Sequence, residues 1–126
     1  MRRQLLILVL ALGLWPLLAG AVTREDFLAQ TAQDLLHLCA ASPTEPLYTA
    51  AINFCQGYWV GAYQYHEAAT SGPEGKAFLC PPNPPPTRAK TVQRWMAWMQ
   101  QHPEYAGERP VETIFQFAAA QWPCQR

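Results

Sequence analysis

Apolar residues recur every three or four positions along most of the chain after residue 21, the spacing that places them on one side of an α helix. In the first such segment the recurring positions are Phe27, Leu28, Thr31, Leu35, Leu38 and Cys39. Thr23, followed three residues later by Asp26, resembles a capping box and predicts the start of this helix. The pattern therefore predicts one helix that begins after Thr23 and ends at Ala40 to Pro43.

A second apolar segment extends from Pro46 to about Thr70, where Gly72-Pro73 ends it. Pro46 suits the first turn of a helix, because the N–H that proline lacks would have no partner there. Apolar side chains cover most of the circumference, and one narrow polar strip holds Asn53, Gln56 and Gln64. Such a helix is predicted to be central, with neighbours packed on several sides.

Two glycines, Gly57 and Gly61, lie four residues apart inside this helix, where each costs about 1 kcal/mol relative to alanine. We interpret them, together with Tyr58 between them, as structural residues. Without side chains, another backbone could pack closely against this line, as in small-xxx-small patterns. The alternative is that the two glycines are merely tolerated.

The six residues 81–86, five of them proline, follow the second helix. Proline lacks a backbone N–H and favours an extended backbone, so neither a helix nor a central strand fits this run. It is predicted to be a stiff connector pinned at Cys80, in preference to an exposed ligand for a proline-binding domain.

Two further helices follow the connector. Thr87 caps the third helix, which ends before Pro103 and buries Val92, Trp95, Met96 and Met99. Pro110 opens the fourth, with inward positions Val111, Ile114, Phe115, Ala118 and Ala119. No strand pattern occurs, and the predicted fold class is all-α: a small bundle of about four helices with a proline-rich connector.

The N-terminal residues 1–21 have the pattern of a secretory signal peptide. Arg2 and Arg3 precede an apolar run from Leu5 to Trp15, which is too short to cross a bilayer, and Ala19-Gly20-Ala21 matches a cleavage site. The alternative is a retained N-terminal anchor helix. We expect cleavage near Val22, a single mature domain over residues 22–126, and a periplasmic protein without a membrane segment.

Four cysteines remain in the predicted mature chain: Cys39, Cys55, Cys80 and Cys124. An even number in a small exported chain is typical of two disulfides, whereas a zinc site needs closer pairs such as C-x-x-C. The histidines His37, His66 and His102 do not have metal-ligand spacing. We therefore expect no metal and no cofactor.

The net charge and the lack of catalytic motifs argue against a nucleic-acid-binding protein and against an enzyme. Removal of Arg2 and Arg3 leaves seven basic residues against nine acidic ones, a net charge of about −2, which argues against a nucleic-acid partner. No serine-hydrolase elbow, phosphate-binding glycine loop or H-E-x-x-H motif occurs. With the cysteines assigned to bridges, no thiol is left as a nucleophile, and we expect the protein not to be an enzyme.

The stretches DLLHLC (34–39), FCQGYWVGAY (54–63), FLCPP (78–82), HPEY (102–105) and WPC (122–124) occur in this order. In them the chain resembles the immunity proteins of type VI secretion amidase effectors, the Rap/Tai kind. The resemblance covers about residues 30–125. The proline run 81–86 and the segment 45–48 look longer and stiffer than is expected for that family, a departure that bears on interface details.

The resemblance implies a small all-α periplasmic protein that binds a peptidoglycan-cleaving amidase effector, blocks its cleft with a loop and prevents lysis. It also implies that a homodimer is among the expected assemblies. The alternative is a periplasmic helper or acid-stress chaperone without a toxin partner. Acidification to about pH 3 separates the two, because only a chaperone would then expose apolar surface and hold unfolded clients.

The expected partner-binding residues are polar and loop-borne, with two neighbours on the third helix: Arg94, Trp98, His102, Glu104, Tyr105, Glu108 and Arg109. Trp98 beside Arg94 is the residue mix of a binding hot spot, although Trp98 could equally close the edge of the core. Among the three pairings open to four cysteines, we propose Cys39–Cys55 and Cys80–Cys124.

Overall fold

A computed structural model describes residues 20–125. Four α helices make up most of it: α1 (Ala32–Cys39), α2 (Tyr48–Thr70), α3 (Arg88–Gln101) and α4 (Pro110–Gln121). Two short 3-10 helices, Glu25–Leu28 and Pro103–Tyr105, precede α1 and follow α3. The all-α prediction is confirmed. The predicted signal peptide lies outside the described residues except for Gly20 and Ala21, and no helix within residues 20–125 is long and apolar enough to cross a membrane.

The first helix is shorter than predicted, because the chain breaks before it. Ala29 has a left-handed backbone, with φ of 46°, and separates the 3-10 turn from α1. The helix is capped instead at Thr31, whose hydroxyl accepts from the Asp34 N–H at 3.2 Å while the Asp34 carboxylate accepts from the Thr31 N–H at 2.9 Å. This reciprocal capping box satisfies two backbone donors, and it places the true start of the helix eight residues after Thr23.

The second helix ends at Thr70 as predicted, but it is not packed on several sides. Its buried side chains, Ala51, Cys55, Trp59 and His66, occupy one side only. Its other side is open to solvent and includes Gly57, Gly61 and Tyr65, the last with 72% of its surface exposed. Apolar residues such as tyrosine can cover a helix without being buried. The composition of α2 therefore predicted more burial than the structure shows.

The core lies where α1, α2, α3 and α4 meet. Trp59 of α2 contacts Trp95 of α3 and Phe117 of α4 edge to face, with ring centroids 5.8 and 6.0 Å apart. Leu35 and Leu38 of α1 are fully buried in the same cluster. Burial of each such side chain contributes about 1.5–3 kcal/mol. The predicted inward positions of α3 and α4 are buried or half-buried, whereas buried Phe117 was not among them.

Both predicted disulfides are confirmed. Cys39–Cys55 joins the end of α1 to the first half of α2, and Cys80–Cys124 joins the connector to the chain end. The Cys80 N–H also donates to the Trp122 carbonyl at 2.9 Å, and Leu79 pairs with Pro123 in an isolated antiparallel bridge. The proline connector is therefore held at its start, as predicted, and at its end by α3, which Thr87 caps.

Candidate functional site

The loop from His102 to Arg109 is anchored to the start of α1. The Ala32 N–H donates to the Glu108 carbonyl at 2.6 Å, and the Gln33 N–H donates to the Ala106 carbonyl at 3.0 Å. The first N–H groups of any helix lack a partner inside that helix. Here the loop carbonyls supply the acceptors, so the start of α1 fixes the shape of the loop.

Three predicted site residues form one stack of rings at the end of α3. The Trp98 ring lies over Tyr105, with centroids 5.4 Å apart and planes 10° apart, and over His102 at 4.4 Å. Trp98 also contacts buried Phe117 at 6.0 Å. Trp98 therefore closes the edge of the core, as one of its two interpretations predicted, and its half-buried ring lies beside the loop. Its role in binding stays a prediction.

The carboxylates and cations of the loop are arranged in local pairs. His102 Nδ1 lies 3.1 Å from Glu104 Oε1. The backbone N–H of Glu104 and the His102 ring hold the pKa of the Glu104 carboxyl below its usual value. Arg109 pairs with Glu112 of α4, and the Glu108 carboxylate accepts from Gln116 Nε2 at 3.1 Å. These charged side chains lie at the surface, with the Arg109 side chain 75% exposed.

Arg94 is exposed beside the stack. It lines a shallow cleft of about 280 Å³ between α3 and α4, together with Ala97, Trp98, Gln101, Phe117 and Gln121. The structure therefore brings Arg94 and Trp98 together in one concave surface next to the ring stack. An aromatic ring flanked by a guanidinium and a cleft is typical of a protein-binding surface.

Tyr58 connects α2 with the end of the loop. Burial raises the pKa of the Tyr58 hydroxyl above its usual value, while the Val111 backbone and the positive charge of Arg109 act in the opposite direction. Its ring also lies 6.2 Å from that of Phe54. Tyr58 is half-buried, and its assignment as a structural residue stays a prediction.

The expected close approach of another backbone at Gly57 and Gly61 is absent within residues 20–125. A Cβ atom built at either glycine meets no atom within 4 Å, and both residues are exposed. The two glycines thus do not determine how the four helices of one chain pack together. The polar strip and the glycines share the solvent side of α2, and no other segment of residues 20–125 packs against the two glycines.

One cavity was not foreseen from the sequence. It has a volume of about 340 Å³ and lies between α2, the proline connector and α4, with an apolar lining that includes Trp59, Tyr63, Leu79, Phe115 and Trp122. No local pattern joins these positions, because residues far apart in the sequence line the cavity, on α2, α4, the connector and the segments that the Cys80–Cys124 bridge joins.

Buried His66 stands beside the same connector. Its Nε2 accepts from the Phe78 N–H at 3.4 Å, and the Phe78 ring meets the imidazole edge to face at 4.4 Å. His66 thus has a structural role: it holds the segment just before the connector against α2. Nothing in the sequence around His66 and Glu67 predicted this contact. Residues 20–125 contain no group of three or more His, Cys, Asp or Glu side chains that could hold a metal ion.

A family model for Rap1a immunity proteins matches residues 31–124, which span α1 to the final disulfide. Comparisons with curated proteins and with solved structures give no match for the chain. The matched segment contains the whole anchored loop, the ring stack and both bridges.

Proposed function

The chain belongs to the Rap1a immunity proteins, and from this premise we propose that it binds a peptidoglycan amidase effector of type VI secretion and inhibits it. The family match over residues 31–124 carries the proposal, since an immunity protein protects by binding a cognate effector. We propose that the protein acts by occupying the effector's cleft and carries out no reaction of its own.

The anchored loop supports this mode of action. A binding loop that is already fixed loses little conformational entropy when it enters a cleft, and preorganisation of this kind increases affinity. The two hydrogen bonds from α1 and the Trp98–Tyr105 stack hold residues 102–109 in one shape. We propose that this loop, with Arg94 and Trp98 beside it, is the effector-binding surface.

A periplasmic location is part of the proposal. Both disulfides are formed in the structure, and disulfides persist in oxidising compartments outside the cytoplasm. The signal-like segment 1–21 would direct export there. In the periplasm the protein would meet the effector where its peptidoglycan substrate lies.

The proposal is tested by affinity capture with the oxidised protein, residues 22–126, against periplasmic and secreted extracts of its own host. The retained proteins are identified by mass spectrometry, and a captured hydrolase is assayed on purified peptidoglycan. We expect one cell-wall amidase, bound at about one-to-one stoichiometry and inactive in the complex. Retention of many unrelated proteins after acid exposure, without any hydrolase, would instead support the chaperone function.

We also propose a homodimer that uses the exposed side of α2. Gly57 and Gly61 leave an open surface there, and Tyr65 next to it is 72% exposed. A neighbouring copy could approach the helix backbone closely along this glycine line, because no side chain stands there. Sedimentation of the wild type and of Gly61→Arg tests this: a dimer that the variant converts to monomer supports the proposal, and a wild-type monomer at high concentration refutes it.

A further inference from the structure

The backbone nitrogen of Val22 lies against a carboxylate. It is 2.8 Å from Glu45 Oε2, in a hydrogen bond that connects the start of the described chain with the turn between α1 and α2. Exposure changes sharply at this point: Gly20 and Ala21 are exposed, whereas Val22 is buried, with 9% of its surface accessible. The valine side chain packs in the core cluster, which fixes the position of its nitrogen.

Glu45 is held in place by its own turn. Its Oε1 accepts from the Ser42 N–H at 3.3 Å, and its backbone N–H donates to the Ser42 carbonyl at 3.0 Å. Pro43 and Pro46 flank the turn and restrict its backbone. The Cys39–Cys55 bridge closes over the same connection between helices. The carboxylate is therefore already in position for a ligand at Val22.

The carboxylate of Glu45 has no cationic side chain as a partner among residues 20–125. The ion pairs there are His37–Asp26, His102–Glu104 and Arg109–Glu112. The half-buried Glu45 carboxylate has only backbone N–H donors. A cationic donor in place of one of them would stabilise it further, because charge-assisted hydrogen bonds are roughly twice as strong as neutral ones.

We propose that Glu45 is the binding site for the α-ammonium group that signal cleavage creates at Val22. Hydrolysis of the Ala21–Val22 peptide bond, the cleavage predicted from Ala19-Gly20-Ala21, adds water and leaves a carboxylate on Ala21 and an ammonium on Val22. The neutral N–H in contact with Glu45 then becomes a cation at the same place. Processing would thus convert one hydrogen bond into an ion pair that ties the new chain end to the α1–α2 turn.

The next residues strengthen this end of the chain. Asp26 accepts from the Thr23 N–H at 2.7 Å and lies 3.1 Å from His37 Nδ1 of α1. The chain after Val22 is therefore fixed to α1, and the Val22 ammonium would add a second attachment, to the turn between α1 and α2. A cleavage one or two residues away would leave the ammonium outside the pocket.

The inference depends on export cleavage but not on effector binding, so it can fail or hold independently of the proposed immunity function. The full chain is exported, and the N-terminus of the periplasmic product is determined by sequencing and intact mass. We expect Val22 as the first residue. A product that begins elsewhere would overturn the proposal.

The ion pair itself is measured by the pH dependence of α-amino labelling. In peptides the α-amino pKa is about 7.7–8.0. We expect the labelling midpoint of the wild type to lie about one unit or more above that of Glu45→Gln, since an opposite charge favours the protonated amine. Glu74→Gln, which changes an exposed carboxylate far along the chain, serves as the matched control and should leave the midpoint unchanged. Equal midpoints for the wild type and Glu45→Gln would overturn the proposal.

Stability gives a second readout. A group whose pKa is raised in the folded state stabilises that state below its unfolded pKa, and the contribution is lost as the pH rises through the folded pKa. The wild type should therefore melt about 4–8 °C above Glu45→Gln at pH 6, and this difference should shrink above pH 9. A form extended by one alanine before Val22 should lose the same advantage. A difference that is independent of pH and present in the extended form would mean that Glu45 only holds its turn.

Discussion

The Trp98 and Tyr105 rings stack with their planes 10° apart, which joins the last turn of α3 to the loop that follows it. The stack rests on Phe117 of α4 and is continued by His102. Both aromatic side chains remain half-buried, so each has one side in the protein and an edge at the surface. The stack is thus packed against the core on one side and accessible to a partner at its edge, an arrangement that suits a binding hot spot.

Tyr105→Ala should weaken effector binding at least tenfold. The substitution removes the ring that supports Trp98, and truncation of a binding hot spot costs about 2 kcal/mol or more. Calorimetric titration of the effector measures the change. Tyr105→Phe retains the stacked ring and should bind nearly as the wild type does; equal losses for both variants would assign the effect to the hydroxyl and contradict the stacking account.

Glu104→Lys should impair effector binding without lowering the melting temperature. The Glu104 side chain is 58% exposed, and its pair with His102 lies at the surface, where ion pairs contribute about 0–1 kcal/mol to stability. Binding and thermal unfolding are measured on the same preparation, with Glu74→Lys as the control for a charge change elsewhere. If Glu104→Lys unfolds earlier by as much as binding weakens, the loop is structural and not a binding surface.

Gly57→Ala and Gly61→Ala should each raise the free energy of unfolding of the monomer by about 0.5–1 kcal/mol. Both glycines lie inside α2 with open space at the Cβ position, so alanine gains helix propensity without a clash. Urea titration measures the gain in dilute protein. Gly75→Ala is the contrast: its Cβ would clash with the Thr70 backbone, so this variant should be less stable than the wild type.

Asp26 should make the fold sensitive to acid. Burial, the largest single influence, raises the pKa of its carboxyl, but hydrogen bonds from Thr23 and His37 together with the His37 charge outweigh burial and hold the pKa below its usual value. The unfolded chain then takes up the proton first, so the stabilisation is complete above about pH 4 and is lost as the pH falls through the lower folded pKa. Asp26→Asn should flatten the fall in melting temperature below pH 4. An unchanged pH profile in that variant would contradict the assignment, and Glu25→Gln in the same turn provides the control.

Loss of the Cys80–Cys124 bridge should destabilise the protein by about 2–4 kcal/mol. The bridge closes 44 residues of sequence and holds the connector on α4, where the apolar cavity forms. Chemical denaturation of the double variant Cys80→Ser/Cys124→Ser measures the loss. Tryptophan fluorescence should shift as well, because Trp59 and Trp122 line that cavity; an unchanged spectrum would show that the connector stays in place without the bridge.

The sequence predicted the helix ends that are set by neighbouring residues, such as a capping threonine or a proline. Thr87 and Pro110 mark the starts of α3 and α4, and Thr70 is the last residue of α2, as the following Gly72-Pro73 indicated. The start of the first helix was predicted wrongly because two Thr-x-x-Asp patterns occur within residues 23–34, and only the one at Thr31 caps an α helix.

The relationships that form the candidate site are not local. The Ala32 N–H donates to the Glu108 carbonyl 76 residues further along the chain, and no spacing in the sequence encodes that contact. The polar composition of residues 102–109 predicted a binding loop, whereas the contacts that hold this loop in place come from α1 and from Trp98. The same holds for Val22 and Glu45, which pair across the whole of α1.

The most direct test of the account is a titration of the captured amidase with the oxidised protein while peptidoglycan hydrolysis is followed. The immunity account predicts that activity falls linearly and is abolished at about one equivalent, and that Tyr105→Ala shifts the curve to higher concentrations while Tyr105→Phe does not. Full hydrolytic activity in the presence of a large excess of the folded wild type would contradict it.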